Sequence, residues 1–231
     1  MNISQRIIAL LPFKLNSSRV PGKNFKDFDG KPLYYWIINT LCQLDFVKEI
    51  VIDTDAIEEL SESKYLNDKR IIIKKRKSEL QGDLISMNKI IADDISDFGD
   101  EIFLMTHTTS PLIRSETLLS AYLQFQDQRL KQESDSLFSV NTFYSRFFEA
   151  NFKPINHNLD KLIPTQDLKP IYEENSAFYF FTKESFLKTN SRIGESPYLF
   201  PIPRLESIDI DDLETWEIAL KLKKQLDVYG I

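Results

Sequence analysis

Apolar and polar positions follow two rhythms along the first 130 residues. Residues 7–12, Ile-Ile-Ala-Leu-Leu-Pro, form a short branched run that predicts a buried strand, and runs at 49–55, 71–73 and 101–105 predict three more. Between them the spacing lengthens to the helical period. Leu33, Trp36, Ile37, Thr40 and Leu41 share one stripe, with Pro32 suited to the first helical position. Leu84, Ile85, Met87, Ile90, Ile91 and Ile95 make a second stripe. Leu118, Leu119, Tyr122, Leu123 and Phe125 make a third, in a helix expected from about 115 to 128. A short helix through Leu60 has Thr54 or Asp55 as its expected cap. Strand and helix in alternation predict a parallel sheet with helices on its faces. In such sheets ligands gather at the carboxyl ends of the strands, so the polar loops that follow the four strands are expected on one rim.

The second half is less regular. Residues 136–140 predict a fifth strand, 176–182 a central one, and 198–203 a shorter strand whose prolines suit an edge. Residues 141–170 carry Phe143, Tyr144, Phe147, Phe148 and Phe152 without a helical period, the character of a dimer contact or a lid. A last helix bears Trp216, Ile218, Ala219 and Leu220. Residues 1–231 are expected to form one domain with 141–170 as its extension.

Composition narrows the class of protein. Apolar residues make up 42% and charged residues 28% of 231, the balance of a globular chain. A net charge of −6, with Lys and Arg dispersed, argues against a general nucleic-acid binder. The single cysteine, Cys42, excludes a disulfide framework and suits a reducing compartment. With no apolar run of membrane-spanning length and no signal-peptide pattern at the start, a cytoplasmic protein without membrane contact is expected.

The candidate chemistry begins directly after the first strand. Residues 13–24 bring together Lys14, Ser17, Ser18, Arg19, Pro21-Gly22, Lys23 and Asn24, a cationic loop able to neutralise phosphate oxygens. It is neither a Walker loop nor a dinucleotide-binding glycine turn, and six glycines leave neither elsewhere. Asp209 and Asp211 flank Ile210, so on an extended segment both carboxylates face one side; they suit a magnesium ion or a helix N-terminus equally, with Asp212 available as the cap. Arg76, in a basic run after the third strand, suits a phosphate, a carboxylate or a solvated strand end, and His107 suits a hydrogen-bonding wall position.

Taken together, these stretches resemble the nonulosonate (acylneuraminate) cytidylyltransferases, the family of CMP–sialic acid synthetases. The resemblance is carried by Lys14-Leu15-Asn16-Ser17-Ser18-Arg19-Val20-Pro21-Gly22-Lys23-Asn24 with Gly30-Lys31-Pro32-Leu33, by residues 76–83 with Ser86, and by Thr109-Ser110-Pro111-Leu112. Asn175-Ser176-Ala177-Phe178-Tyr179 and Asp209-Ile210-Asp211 complete it, in the family's order and across most of the chain. It implies a Rossmann-like nucleotide-diphospho-sugar transferase fold of α/β class with a mostly parallel sheet and a dimerising extension. It implies transfer of CMP from CTP to an acid sugar with release of pyrophosphate, in the supply of cell-surface polysaccharide, by a homodimer. In the roles so implied, Lys14, Arg19 and Lys23 act on the triphosphate, while Ser17, Asn24, Arg76, Ser86 and His107 hold the nucleotide. Gln166, Asn175 and Tyr179 meet the sugar, and Asp209 and Asp211 hold Mg2+. Four positions depart from the family's pattern: Lys14 and Thr165 stand for arginines, Ser18 for a lysine and His107 for a glutamine. The departures leave the sugar open between sialic acid, a related nine-carbon acid, 3-deoxy-manno-octulosonate and a sugar phosphate. They also admit a degenerate member that binds nucleotide without turnover.

Overall fold

The computed structural model describes residues 5–229. In chain order the elements are β1 (Ile7–Leu10), a small hairpin of β2 (Asp27–Phe28) and β3 (Lys31–Pro32), α1 (Leu33–Cys42), β4 (Val47–Thr54), α2 (Ile57–Ser61), β5 (Ile71–Lys75), α3 (Met87–Ser96), β6 (Ile102–Thr106), α4 (Ser115–Leu130), β7 (Ser136–Phe143), β8 (Ile171–Thr182), α5 (Lys183–Thr189), β9 (Pro197–Pro201) and α6 (Leu213–Tyr229). Seven strands form one sheet in the order β5-β4-β1-β6-β8-β7-β9. Its first four strands are mutually parallel; β8 runs antiparallel to both β6 and β7, and β9 runs parallel to β7 at the edge. The α/β class and mostly parallel sheet expected from the sequence are present, and the antiparallel β8 is what ends the simple alternation. No helix among the described residues is long and apolar enough to cross a membrane.

Alternation along the central strands sorts side chains into two cores. Ile7, Ala9, Leu104, Phe178 and Phe180 join Ile37, Leu41, Leu118 and Phe125 on the face covered by α1 and α4. Ile8, Leu10, Phe103, Met105, Tyr179 and Phe181 join Ile91, Ile95 and Phe186 on the face covered by α3 and α5. A third, smaller cluster fixes the site: Val20 from the loop after β1, Phe28 and Leu33 pack on Ile210, Trp216 and Ala219. Phe28 meets Trp216 edge to face at 5.4 Å, and the indole N–H of Trp36 donates to the Phe28 carbonyl at 2.8 Å. Full burial of each such side chain contributes about 1.5–3 kcal/mol, so this plug holds residues 209–211 against a loop nearly 190 positions earlier.

Three local expectations are corrected. Leu84 is wholly exposed and Ile85 lies outside the helix, because α3 starts at Met87. Neither Thr54 nor Asp55 caps α2, which starts from Ala56 without a side-chain cap; the Thr54 hydroxyl instead accepts from the Ala56 N–H at 3.0 Å. Pro32 is extended and lies just before α1, paired in the hairpin rather than in the first turn.

Candidate active site

The loops after β1, β5 and β6 meet over a cleft of about 310 Å³ at the carboxyl end of the sheet. Lys14, Ser17, Arg19, Lys23, Asn24, Arg76 and His107 all line it, with Met87 and Ile90 of α3 as an apolar wall. The cationic loop turns at Gly22, whose φ of 62° favours a residue without a Cβ. That turn points Lys23 inward: it is 7% exposed, and its ammonium donates to the Ile210 carbonyl at 2.6 Å, between Asp209 and Asp211. Burial lowers the Lys23 pKa from its ordinary value, the charges of Asp209 and Asp211 oppose that, and Arg19 and Lys14 add to it. Arg19 pairs with Asp211 at 2.8 Å, with both side chains about half exposed. The Ile210 N–H donates to the Thr109 carbonyl at 2.9 Å, so the β6 loop carries the same segment. Asp209 is pushed above the usual carboxylate range by burial; a hydrogen bond from Thr109 opposes this and the Asp211 charge reinforces it. Asp212 accepts from the Thr215 N–H at 2.8 Å and serves as the cap of α6, leaving its two acidic neighbours for other work.

Asn24 is a brace as well as a wall. Its amide donates to the Lys14 carbonyl at 2.7 Å and its oxygen accepts from the Thr108 hydroxyl at 2.6 Å, tying the first loop to the β6 loop. Lys14 pairs with Asp83 across the mouth. His107 stands at the inner end of the cleft, where burial first, then the charges of Arg192 and Lys23, push its pKa down to about 3. It is therefore a neutral imidazole at pH 7, able to both donate and accept.

Arg76 lines the cleft, but its guanidinium is engaged elsewhere. It pairs with the fully buried Asp53 and donates to the carbonyls of Asp53 at 2.8 Å and Phe13 at 3.3 Å. Behind it, Asp53, Asp93 and Asp94 bring one carboxylate oxygen each within 4.8 Å of one another, a set that could hold a divalent cation among the described residues. Lys74 already places its ammonium 2.8 Å from Asp93 and 3.1 Å from Asp94.

The remaining candidates are not among the residues that line this cleft. Ser86 precedes α3 without capping it. Gln166 lies on an exposed turn of the 141–170 extension. Asn175 and Tyr179 are within β8, the first bonded to Ser139 at 2.6 Å and to Asn141 at 3.2 Å, the second to Glu174 and Ser176. Sequence reasoning missed Thr108, Asp53 and Arg192, and had Thr109 only as part of the 109–112 turn. Asp53 carried one signal, an acid directly after the apolar run 50–52; Thr108 and Arg192 act through contacts that no local pattern announces.

The Cytidylyltransferase family model matches residues 8–228. Over 228 residues the chain is 26% identical to the pseudaminic acid cytidylyltransferase of Campylobacter jejuni, covering 94% of this chain and 96% of that one. It is 25% identical over 213 residues to the N-acylneuraminate cytidylyltransferase of Streptococcus agalactiae, covering 88% of this chain and 50% of that one. The fold is similar to that of a CMP:2-keto-3-deoxy-manno-octonic acid synthetase solved with CTP, with a TM-score of 0.62 at 14% identity over 96% of this chain and 99% of that one.

Proposed function

The chain belongs to the cytidylyltransferase family, and from that premise we propose that it transfers CMP from CTP to the anomeric hydroxyl of an acid sugar related to sialic and pseudaminic acids. The observation that carries this reading is the meeting of Lys23 with the 209–211 segment: a buried ammonium on the Ile210 carbonyl, flanked by two carboxylates and opening on a cleft with Lys14 and Arg19. In the reaction the sugar oxygen bonds to the α-phosphorus, the bond from that phosphorus to the β-phosphate bridging oxygen breaks, and pyrophosphate leaves. The hydroxyl proton passes to solvent. Chemistry of this kind needs positioning and charge neutralisation more than covalent help.

Lys14, Arg19 and Lys23 are assigned to the triphosphate. The Lys14 and Arg19 pairs with Asp83 and Asp211 are partly exposed and so weak that a polyphosphate can displace them. Ser17 and the neutral His107 are assigned to polar contacts with the nucleotide, while Asn24 and Arg76 hold the walls. Asp209 and Asp211 fit a divalent cation: they are two interacting, partly buried carboxylates, and neither caps α6. Mg2+ bound there would neutralise phosphate charge and polarise the phosphoryl oxygens.

We also read residues 5–229 as one domain whose 141–170 extension meets a second copy. Phe152 is 85% and Leu162 72% exposed there, with Tyr144, Phe148 and Ile155 beside them in the chain, more apolar surface than a monomer commonly leaves bare. Light scattering should give twice the chain mass at micromolar concentration; a monomer would remove the dimer. A CTP-using enzyme with a single unpaired Cys42 suits the cytoplasm.

The deciding assay measures pyrophosphate release from CTP with Mg2+ and a panel of nine-carbon acid sugars, 3-deoxy-manno-octulosonate and neutral or phosphorylated sugars. Release with an acid sugar is expected. Release only with a sugar phosphate, or with none of them, would overturn the reading.

A further inference from the structure

Arg192 follows α5 and reaches back over the sheet with a side chain only 18% exposed. Its guanidinium carbon lies 3.8 Å from the centroid of the Tyr179 ring, and one terminal nitrogen lies 3.7 Å from the Met105 sulfur. No oxygen among the described residues hydrogen-bonds to it. The carboxylate paired with it, Glu174, is 3.6 Å away and also accepts from the Tyr179 hydroxyl. Other shielded arginines are treated differently. Arg70, at similar exposure, bonds to Asp68 at 2.7 Å and to the carbonyls of Cys42, Leu44 and Val47. Arg76 bonds to Asp53 and two carbonyls. A shielded guanidinium with no hydrogen-bonded oxygen and only a 3.6 Å ion pair is costly to keep, and its planar fork matches a carboxylate.

Its place in the fold says what it faces. Met105 lies on β6 and His107 directly follows the strand; Met105 belongs to the core cluster against which Met87 packs, and Met87, Ile90 and His107 all line the cleft. His107 feels the charges of both Arg192 and Lys23. Lys23 belongs to the triphosphate end; Arg192 lies on the Tyr179 side of His107. The triphosphate already has three cations and the 209–211 segment, whereas the second substrate brings a carboxylate with no partner assigned to it.

We propose that Arg192, held flat against the Tyr179 ring, is the residue that binds the carboxylate of the acid sugar and selects acid sugars over neutral ones. This rests on the proposed reaction for the identity of the anion. Each acid sugar, paired with its carboxylate methyl ester, would be titrated calorimetrically into native, Arg192→Gln and Arg192→Lys protein, with CTP titrations alongside and pyrophosphate release measured separately. In Arg192→Gln the acid should bind about 30-fold more weakly or worse, the ester should bind as it does to native protein, and CTP affinity should stay within about twofold. Arg192→Lys, which keeps the charge and loses the fork, should fall between and serves if the glutamine variant does not fold.

Equal weakening of acid and ester, unchanged binding of the acid, or a loss of CTP affinity as large as that of the acid would overturn the assignment. If native protein binds an acid sugar through Arg192 yet releases no pyrophosphate, the reaction falls and this assignment stands. If it turns over an acid sugar and Arg192→Gln does so equally well, the reverse holds. If no acid sugar binds native protein, both fall.

Discussion

Two groups of acids and bases share this end of the sheet, and they differ in what surrounds them. In the first, Asp53 is fully buried, Asp94 is 1% and Arg76 6% exposed, and Lys74 closes the group from the edge strand. In the second, Arg19 and Asp211 are about half exposed and Lys14 faces an exposed Asp83, with only Lys23 drawn inward. The side-chain types are nearly the same. Burial makes the first a fixed wall, because separating its charges would leave one of them unpaired out of water. Exposure makes the second exchangeable, because its pairs hold each other weakly and can release to phosphate. Cations in a basic loop are therefore ligands or props according to what lies behind them.

The strongest test removes a prop. Arg76→Ala leaves the Asp53 carboxylate buried beside Asp94 without its counter-charge, at a cost of about 3–5 kcal/mol of stability. Denaturant unfolding reads this directly. A variant as stable as the native protein that no longer binds CTP would break the comparison, since Arg76 would then be a substrate ligand and not a wall.

Next comes the one residue that belongs to both descriptions. Lys23 is as buried as a prop, yet its hydrogen-bond partner is a neutral carbonyl, and its charge is held in place by Asp209 and Asp211. Lys23→Ala should lower turnover by roughly 10²–10³ while shifting the unfolding midpoint much less than Arg76→Ala does. Near-normal pyrophosphate release would sink its role, and a stability loss equal to that of Arg76→Ala would move it into the first group.

This division explains how far the sequence could be read. The loop from Lys14 to Asn24, the strand before it and the Asp209–Asp211 pair were legible, because each is a local pattern with its own chemistry. The parallel half of the sheet was legible for the same reason: its strands and helices differ in period. The fate of Arg76 was not, since it turns on Asp53 twenty-three positions earlier meeting it across two neighbouring strands. The start of α3 was misjudged because Leu84 and Ile85 continue the apolar spacing in sequence while the chain is still in the loop. Arg192 belongs to no motif, and only the packing of α5 on β8 brings it to Tyr179.

The smallest expected effect is a pair of opposite pH slopes, one from Asp94 in the sealed group and one from His107 on the wall of the cleft. Burial, then the Asp53 charge, pushes Asp94 up to about 7 against the pull of Lys74. Between its ordinary 3.8 and that value the folded state keeps a proton the unfolded chain has lost, so Asp94 contributes stability below pH 4 that disappears as pH rises to 7. His107 runs the other way. Its ordinary value of 6.5 falls to about 3, so the unfolded chain takes up the proton first. Its contribution is present above pH 6.5 and disappears as pH falls toward 3. Each slope is at most about 1.4 kcal/mol per pH unit, and from about pH 4 to 6.5 they offset each other. Asp94→Asn, which keeps a donor toward Asp53, should therefore give a protein whose stability relative to the native chain climbs with pH across that window. His107→Gln should give the opposite tilt, and the double variant should restore the native profile. Difference curves of unfolding free energy against pH isolate these two groups from the rest. Parallel curves for both single variants would mean that burial sets the proton affinity of neither side chain, and the electrostatic account of the sealed group and of the cleft wall would fall.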